Sequence, residues 1–177
     1  FDMADPLDES SLKYVNPFSL DEDMYDEYYD LQENGPAILS DPNATSEELA
    51  KIDVDELPSV QAFLLLINHP NCPEIVFDKD KADKYSVSYK IELAKHPKTP
   101  ASTLLLFSKN QYSADLLIEV SKNPNSTEST QINLVDHTAR HEVWKNILTT
   151  TDPSSKVLMA MALRMSKDYN EPNSIDD

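Results

Sequence analysis

Five prolines fall at almost equal intervals along this chain. Pro42, Pro70, Pro97, Pro124 and Pro153 are separated by 28, 27, 27 and 29 residues. Each stands in the same setting: Asp41-Pro42-Asn43-Ala44-Thr45, His69-Pro70-Asn71-Cys72-Pro73, His96-Pro97-Lys98-Thr99-Pro100, Asn123-Pro124-Asn125-Ser126-Thr127 and Asp152-Pro153-Ser154-Ser155. Proline is 12 of 177 residues, so this regularity does not arise by chance. A fixed period of about 20–50 residues marks a repeat architecture in which each unit buries its apolar face only against its neighbours.

The unit has a physical logic. A helical stretch runs up to each Asp/His/Asn-Pro step: Leu57, Val60, Leu64 and Ile67; Val87, Ile91 and Ala94; Ala114, Leu117 and Val120; Val143, Trp144, Ile147 and Leu148. Proline lacks the N–H needed to continue a helix and pushes the residue before it out of the α region. A small polar residue then caps a second, shorter helix. Thr45 with Glu48 forms a capping box, and Cys72-Pro73 and Thr99-Pro100 put proline where a helix begins. The second helices bring Leu49 and Ile52; Ile75, Val76 and Phe77; Leu104, Leu105 and Phe107; Ile132 and Leu134; Leu158, Met161, Ala162 and Leu163. With one glycine, Gly35, and no hairpin signal, the expectation is an all-α solenoid of five repeats of 27–29 residues.

Charge divides the chain differently. Residues 1–36 hold eleven acids and one base, Lys13, a net of −10 out of −17 overall. Tyr14, Tyr25, Tyr28 and Tyr29 lie there too. Ser19 and Glu22 make a second capping box, and Leu20, Met24, Tyr28 and Leu31 recur at helical spacing. The pattern predicts an acidic amphipathic helix over 19–33, stopped by Asn34-Gly35-Pro36. Its apolar stripe suits an end cap on the first repeat. Asp21, Asp23, Asp26, Glu27 and Asp30, with Tyr25 and Tyr29, suit a partner-binding face.

The segments Ala94-Lys95-His96-Pro97-Lys98-Thr99-Pro100 with Leu104-Leu105, and Val120-Ser121-Lys122-Asn123-Pro124-Asn125-Ser126, resemble the leucine-rich repeat variant family. That likeness covers about residues 37–165. It is close in the second and third units and looser elsewhere, where Thr127 and Lys156 replace the second proline. It implies a right-handed superhelix of alternating α- and short 3₁₀-helices. Because these units are longer than is usual for the family, fully α second helices in HEAT-like pairs are the alternative. Some members carry a cysteine-ligated iron–sulfur cluster; with Cys72 as its one cysteine, this chain does not fit one.

Composition excludes several chemistries. One glycine leaves no phosphate-cradling loop. One cysteine leaves no disulfide framework or thiolate metal site. A net charge of −17 disfavours nucleic acid and anionic membranes, and the longest apolar run, Ala62 to Ile67, falls far short of the ~18 residues of a span.

Individual candidates also have plain structural readings. His137 and His141, followed by Glu142, are spaced to share a helix face, but not in a zinc-enzyme order. His69 and His96 occupy equivalent repeat positions, suited to bonding the end of the preceding helix. Asp78 to Asp83 reads as a solvated loop rather than a calcium site, for it lacks the mid-loop glycine. Asn43-Ala44-Thr45 and Asn125-Ser126-Thr127 are glycosylation sequons that fall on the repeat turns. Trp144 reads as core.

The expected organisation is an acidic N-terminal segment (1–36), a helical repeat domain (37–167) and a polar tail (168–177). No catalytic, cofactor-binding or metal-ligating residue is assigned, and no enzymatic activity is expected. The function expected is a non-catalytic protein–protein interaction scaffold. The alternative is an acidic inhibitor, either an immunity protein or a nucleic-acid mimic, that binds a basic enzyme or toxin. The expected partner is another protein, basic under that alternative. A cytoplasmic location is expected, a trimmed leader being compatible with a start at Phe1.

Overall fold

A computed structural model of the chain describes residues 34–110 and 112–170. The predicted acidic helix, and with it Asp21, Asp23, Tyr25, Asp26, Glu27, Tyr29 and Asp30, lies outside the described residues. Those described are helical, with no strand among them. They form two compact units that meet in sequence at Val76 and Phe77, inside the span expected to be one repeat domain.

In the first unit, η1 (Ala37–Ser40), α1 (Ser46–Ala50), η2 (Val54–Glu56) and α2 (Val60–Ile67) follow one another. Each later start is fixed by a side-chain cap. Thr45 Oγ1 accepts from Glu48 N at 3.1 Å and donates to Glu48 Oε1 at 3.0 Å, Asp53 accepts from Asp55 N at 3.0 Å, and Ser59 accepts from Ala62 N at 3.1 Å. Leu39, Leu49, Val54, Leu57, Phe63, Leu66 and Ile67 make the core, and α2 packs on η1. Gly35 sits at φ +73°, the left-handed region expected of a helix-stop glycine. A Cβ there would meet Ala62 Cβ at 3.0 Å and Leu39 Cδ1 at 3.3 Å.

A short 3₁₀ turn, η3 (Glu74–Phe77), leads into the second unit. Then come α3 (Lys79–Ala82), α4 (Val87–Lys95), α5 (Ala101–Phe107), α6 (Ala114–Lys122), α7 (Glu128–His137), α8 (His141–Thr150) and α9 (Ser155–Asn170). Two rows arise here. α4 packs on α6 and α6 on α8, while α3 packs on α5, α5 on α7 and α7 on α9. Contacts between consecutive helices from α4 to α8 join the rows. Leu93, Leu104, Phe107, Leu116, Val120, Leu134, Val135, Val143, Ile147, Val157 and Met161 are buried between them.

Several positions differ from the sequence reading. Val87, Ile75 and Leu148 are exposed, and Leu93 and Leu116 take the buried places beside Ala94 and Leu117. Leu105 is half-buried, whereas Leu104 is fully buried. Asp78 to Asp83 is not a loop: Asp78 accepts from Asp80 N at 3.1 Å and caps α3, whose Ala82 is buried. The second helices are mixed, a 3₁₀ turn after Pro73 but α-helices after Pro100, Thr127 and Ser154. The last helix also runs past residue 167 to Asn170.

Candidate interaction surface

The proline turns share one geometry. In the first four, the N–H of the fourth residue bonds the carbonyl of the first: Ala44 to Asp41 at 3.1 Å, Cys72 to His69 at 3.0 Å, Thr99 to His96 at 3.2 Å and Ser126 to Asn123 at 3.1 Å. Proline thus sits second in a β-turn, where its fixed φ is wanted. The side chain of the first residue accepts the N–H of the third: Asp41 from Asn43 at 2.9 Å, His69 Nδ1 from Asn71 at 3.0 Å, His96 Nδ1 from Lys98 at 3.1 Å and Asn123 from Asn125 at 2.9 Å. This explains why Asp, His and Asn alternate there. All three place an acceptor at the same reach.

Side chains also tie one turn to another. In the first unit His69 Nε2 bonds the Asp41 carbonyl at 2.7 Å, and Asn71 Nδ2 donates to the Ala44 carbonyl at 2.8 Å. In the second, Asn123 Nδ2 donates to the carbonyls of Ala94 at 2.8 Å and His96 at 3.1 Å, and Asn125 Nδ2 to those of Pro97 at 2.7 Å and Thr99 at 2.9 Å. Hydroxyls at the fourth position close the end of the preceding helix, Thr99 onto Leu93 O at 2.5 Å and Ser126 onto Val120 O at 2.7 Å. The expected role of His69 is therefore corrected: its carbonyl partner lies 28 residues earlier in the turn at Asp41, not in the preceding helix. Asn125, the acceptor of the second sequon, has its amide committed to two carbonyls.

Polar positions thus hold the turns together. Four of the large exposed apolar side chains lie on α9. At roughly 100° per residue, Val157, Met161 and Arg164 share one face, and Val157 and Met161 are buried. Arg164 pins that face, with Nη1 donating to the carbonyls of Val135 at 3.2 Å and Asp136 at 2.7 Å in the last turn of α7, and Nε 3.5 Å from Asp168. Carbonyls in the last turn of a helix lack intrahelical donors and carry partial negative charge, so a guanidinium satisfies both needs. The opposite arc is apolar as well. Leu158 is 45% exposed, Met159 60%, Leu163 64% and Met165 61%, with Ala162 among them and Ser155 and Ser166 the polar members. Lys156 and Lys167 border this arc beside Leu163. Lys156 reaches only Glu128 at 4.0 Å, with its side chain 77% exposed.

The sequence reading placed Leu158, Ala162 and Leu163 in the core with Met161; of these, Met161 alone is buried. The signal for the correct register was present in Val157, Met161 and Arg164, spaced four and three apart.

Other candidates separate. His137 ends α7 and His141 begins α8, so the two imidazoles do not share a helix face; His137 Nδ1 bonds the Asn133 carbonyl at 2.7 Å. Among the described residues no group of three His, Cys, Asp or Glu could hold a metal ion. Trp144 is half-buried rather than core, and its indole N–H donates to Thr138 O at 2.8 Å. Cys72 is half-buried beside the Pro73 carbonyl. No described helix is long and apolar enough to cross a membrane. No family model, curated protein or solved structure matches this chain.

Proposed function

We propose that this protein is a non-catalytic protein-binding scaffold, a helical solenoid of the leucine-rich-repeat-variant type, and that the outer face of α9 is a binding surface. The observation that carries the reading is the exposed arc Leu158, Met159, Leu163 and Met165. Scattered exposed leucines are ordinary, whereas these four adjoin on one helix face, the arrangement that favours a contact site. The two helix rows and the turn-to-turn hydrogen bonds support the solenoid reading, since they repeat with the period of the prolines.

The test uses the double variant Met159→Lys/Leu163→Lys. Both side chains are exposed, so the thermal melt should stay where it is. A protein partner captured by the wild type should be lost. Retention of that partner by the variant would remove α9 from the binding surface.

The acidic-inhibitor reading keeps one specific support, the net −10 over residues 1–36. It requires a basic partner whose binding collapses as salt rises. A partner held through apolar contacts on α9 tolerates salt.

A further inference from the structure

We infer that the outer face of α9 takes the acidic segment around Leu20–Leu31 of a second copy of this chain, so that copies associate head to tail. The inference rests on the reading of α9 as a binding face and names its occupant.

Charge complementarity is the first argument. The chain carries −17, yet from Arg140 to Lys167 it holds five bases (Arg140, Lys145, Lys156, Arg164 and Lys167) and two acids, Glu142 and Asp152. Asp168, just beyond, is turned toward Arg164 at 3.5 Å. The first 36 residues carry −10 and residues 140–167 carry +3, while residues 168–177 add four acids. Lys156 and Lys167 border the apolar arc along the edge beside Leu163, where they would meet acids bordering an apolar stripe.

Pattern and size supply the second. On a helix, the sequence spacing of Leu20, Met24, Tyr28 and Leu31 would lay an apolar stripe about 16 Å long, with Asp21, Asp23, Asp26, Glu27 and Asp30 beside it. Leu158 to Met165 spans about 11 Å of α9. Four partly exposed side chains are too few for the ~800 Å² that each side of a standard interface buries. They suit one docked amphipathic segment, of the helix-in-groove kind. Such a contact joins different surfaces on the two copies, so it does not close on itself and can extend.

The experiment is sedimentation of the full chain over a range of concentrations at low ionic strength. The wild type should show a mass that rises with concentration beyond a dimer. Met159→Lys/Leu163→Lys and Leu20→Ser/Met24→Ser should each associate roughly a hundredfold more weakly, with helical content unchanged by circular dichroism. An equimolar mixture of the two variants should form a 1:1 complex and stop, because it contains one intact face and one intact segment. A wild type that is monomeric throughout overturns the inference; if Met159→Lys/Leu163→Lys still loses a different captured protein, the proposed binding face stands without it. A wild type that associates while the mixture does not recover means that α9 pairs with α9, which also overturns it. So does a Leu20→Ser/Met24→Ser variant whose melting temperature falls with no change in mass, since the stripe then covers its own first repeat.

Discussion

Asn123 concentrates the logic of the turns in one side chain. Its carbonyl oxygen accepts from Asn125 N and its amide reaches Ala94 O and His96 O, all in a buried position. Alanine there leaves carbonyls short of donors, and Asn123→Ala should lose about 2–3 kcal/mol in a urea titration. Asn123→Asp should cost more, because a carboxylate then faces two carbonyls with no proton to offer. Asn43 is exposed, and Asn43→Ala should change stability by less than about 0.5 kcal/mol. Equal losses at Asn43 and Asn123 would mean that the turn sequence matters and the bonds between turns do not. Gly35 is the other residue whose identity is dictated locally. Its φ of +73° and the Ala62 Cβ 3.0 Å from where a Cβ would stand predict that Gly35→Ala loses at least about 1–2 kcal/mol.

At the scale of elements, α5 offers a sharp comparison between neighbours. Leu104 is fully buried and Leu105 half-buried, so Leu104→Ala should cost about 2–5 kcal/mol and Leu105→Ala clearly less. A larger loss at Leu105 would place the helix in the wrong register. The existence of such helices was legible because proline marks the turns at 42, 70, 97, 124 and 153 and Ser, Thr or Asp marks many of the starts, chemistry confined to a few consecutive residues. Which face each helix buries was less legible. α4 and α8 have apolar residues on more than one side, and only the neighbouring helices decide that Leu93 goes in while Val87 stays out, or that Ile147 goes in while Leu148 stays out. α9 misled for the same reason, being apolar on two opposite faces and covered on one. The ties between turns were not legible, because an asparagine at a turn looks alike whether its amide meets water or a carbonyl 28 residues away.

For the whole molecule, charge is sorted along the sequence, and a consequence follows for how partners meet. Neutralising Asp23, Asp26, Glu27 and Asp30 to Asn or Gln should slow association with a basic surface several-fold at 10 mM salt, where charges act out to ~30 Å, and much less at 150 mM. Equal association rates for both proteins at 10 mM would mean that the acids serve solubility alone. The long-range bonds from side chains to backbone carbonyls have an order in time as well as in space. His69 and Asn71 serve Asp41 and Ala44, Thr103 serves Phe77, Asn123 and Asn125 serve residues 94–99, and Arg164 serves Val135 and Asp136. In each of these the donor is made after the acceptor. A nascent chain leaving the ribosome therefore carries carbonyls at Asp41 and Ala44, and at residues 94–99, that stay wet until the turns at His69 and Asn123 have emerged. Arrest-peptide force profiles during translation should accordingly rise in steps that trail the earlier turn by about 27–28 residues. Each step should come when the later turn clears the exit tunnel, not when the earlier one does.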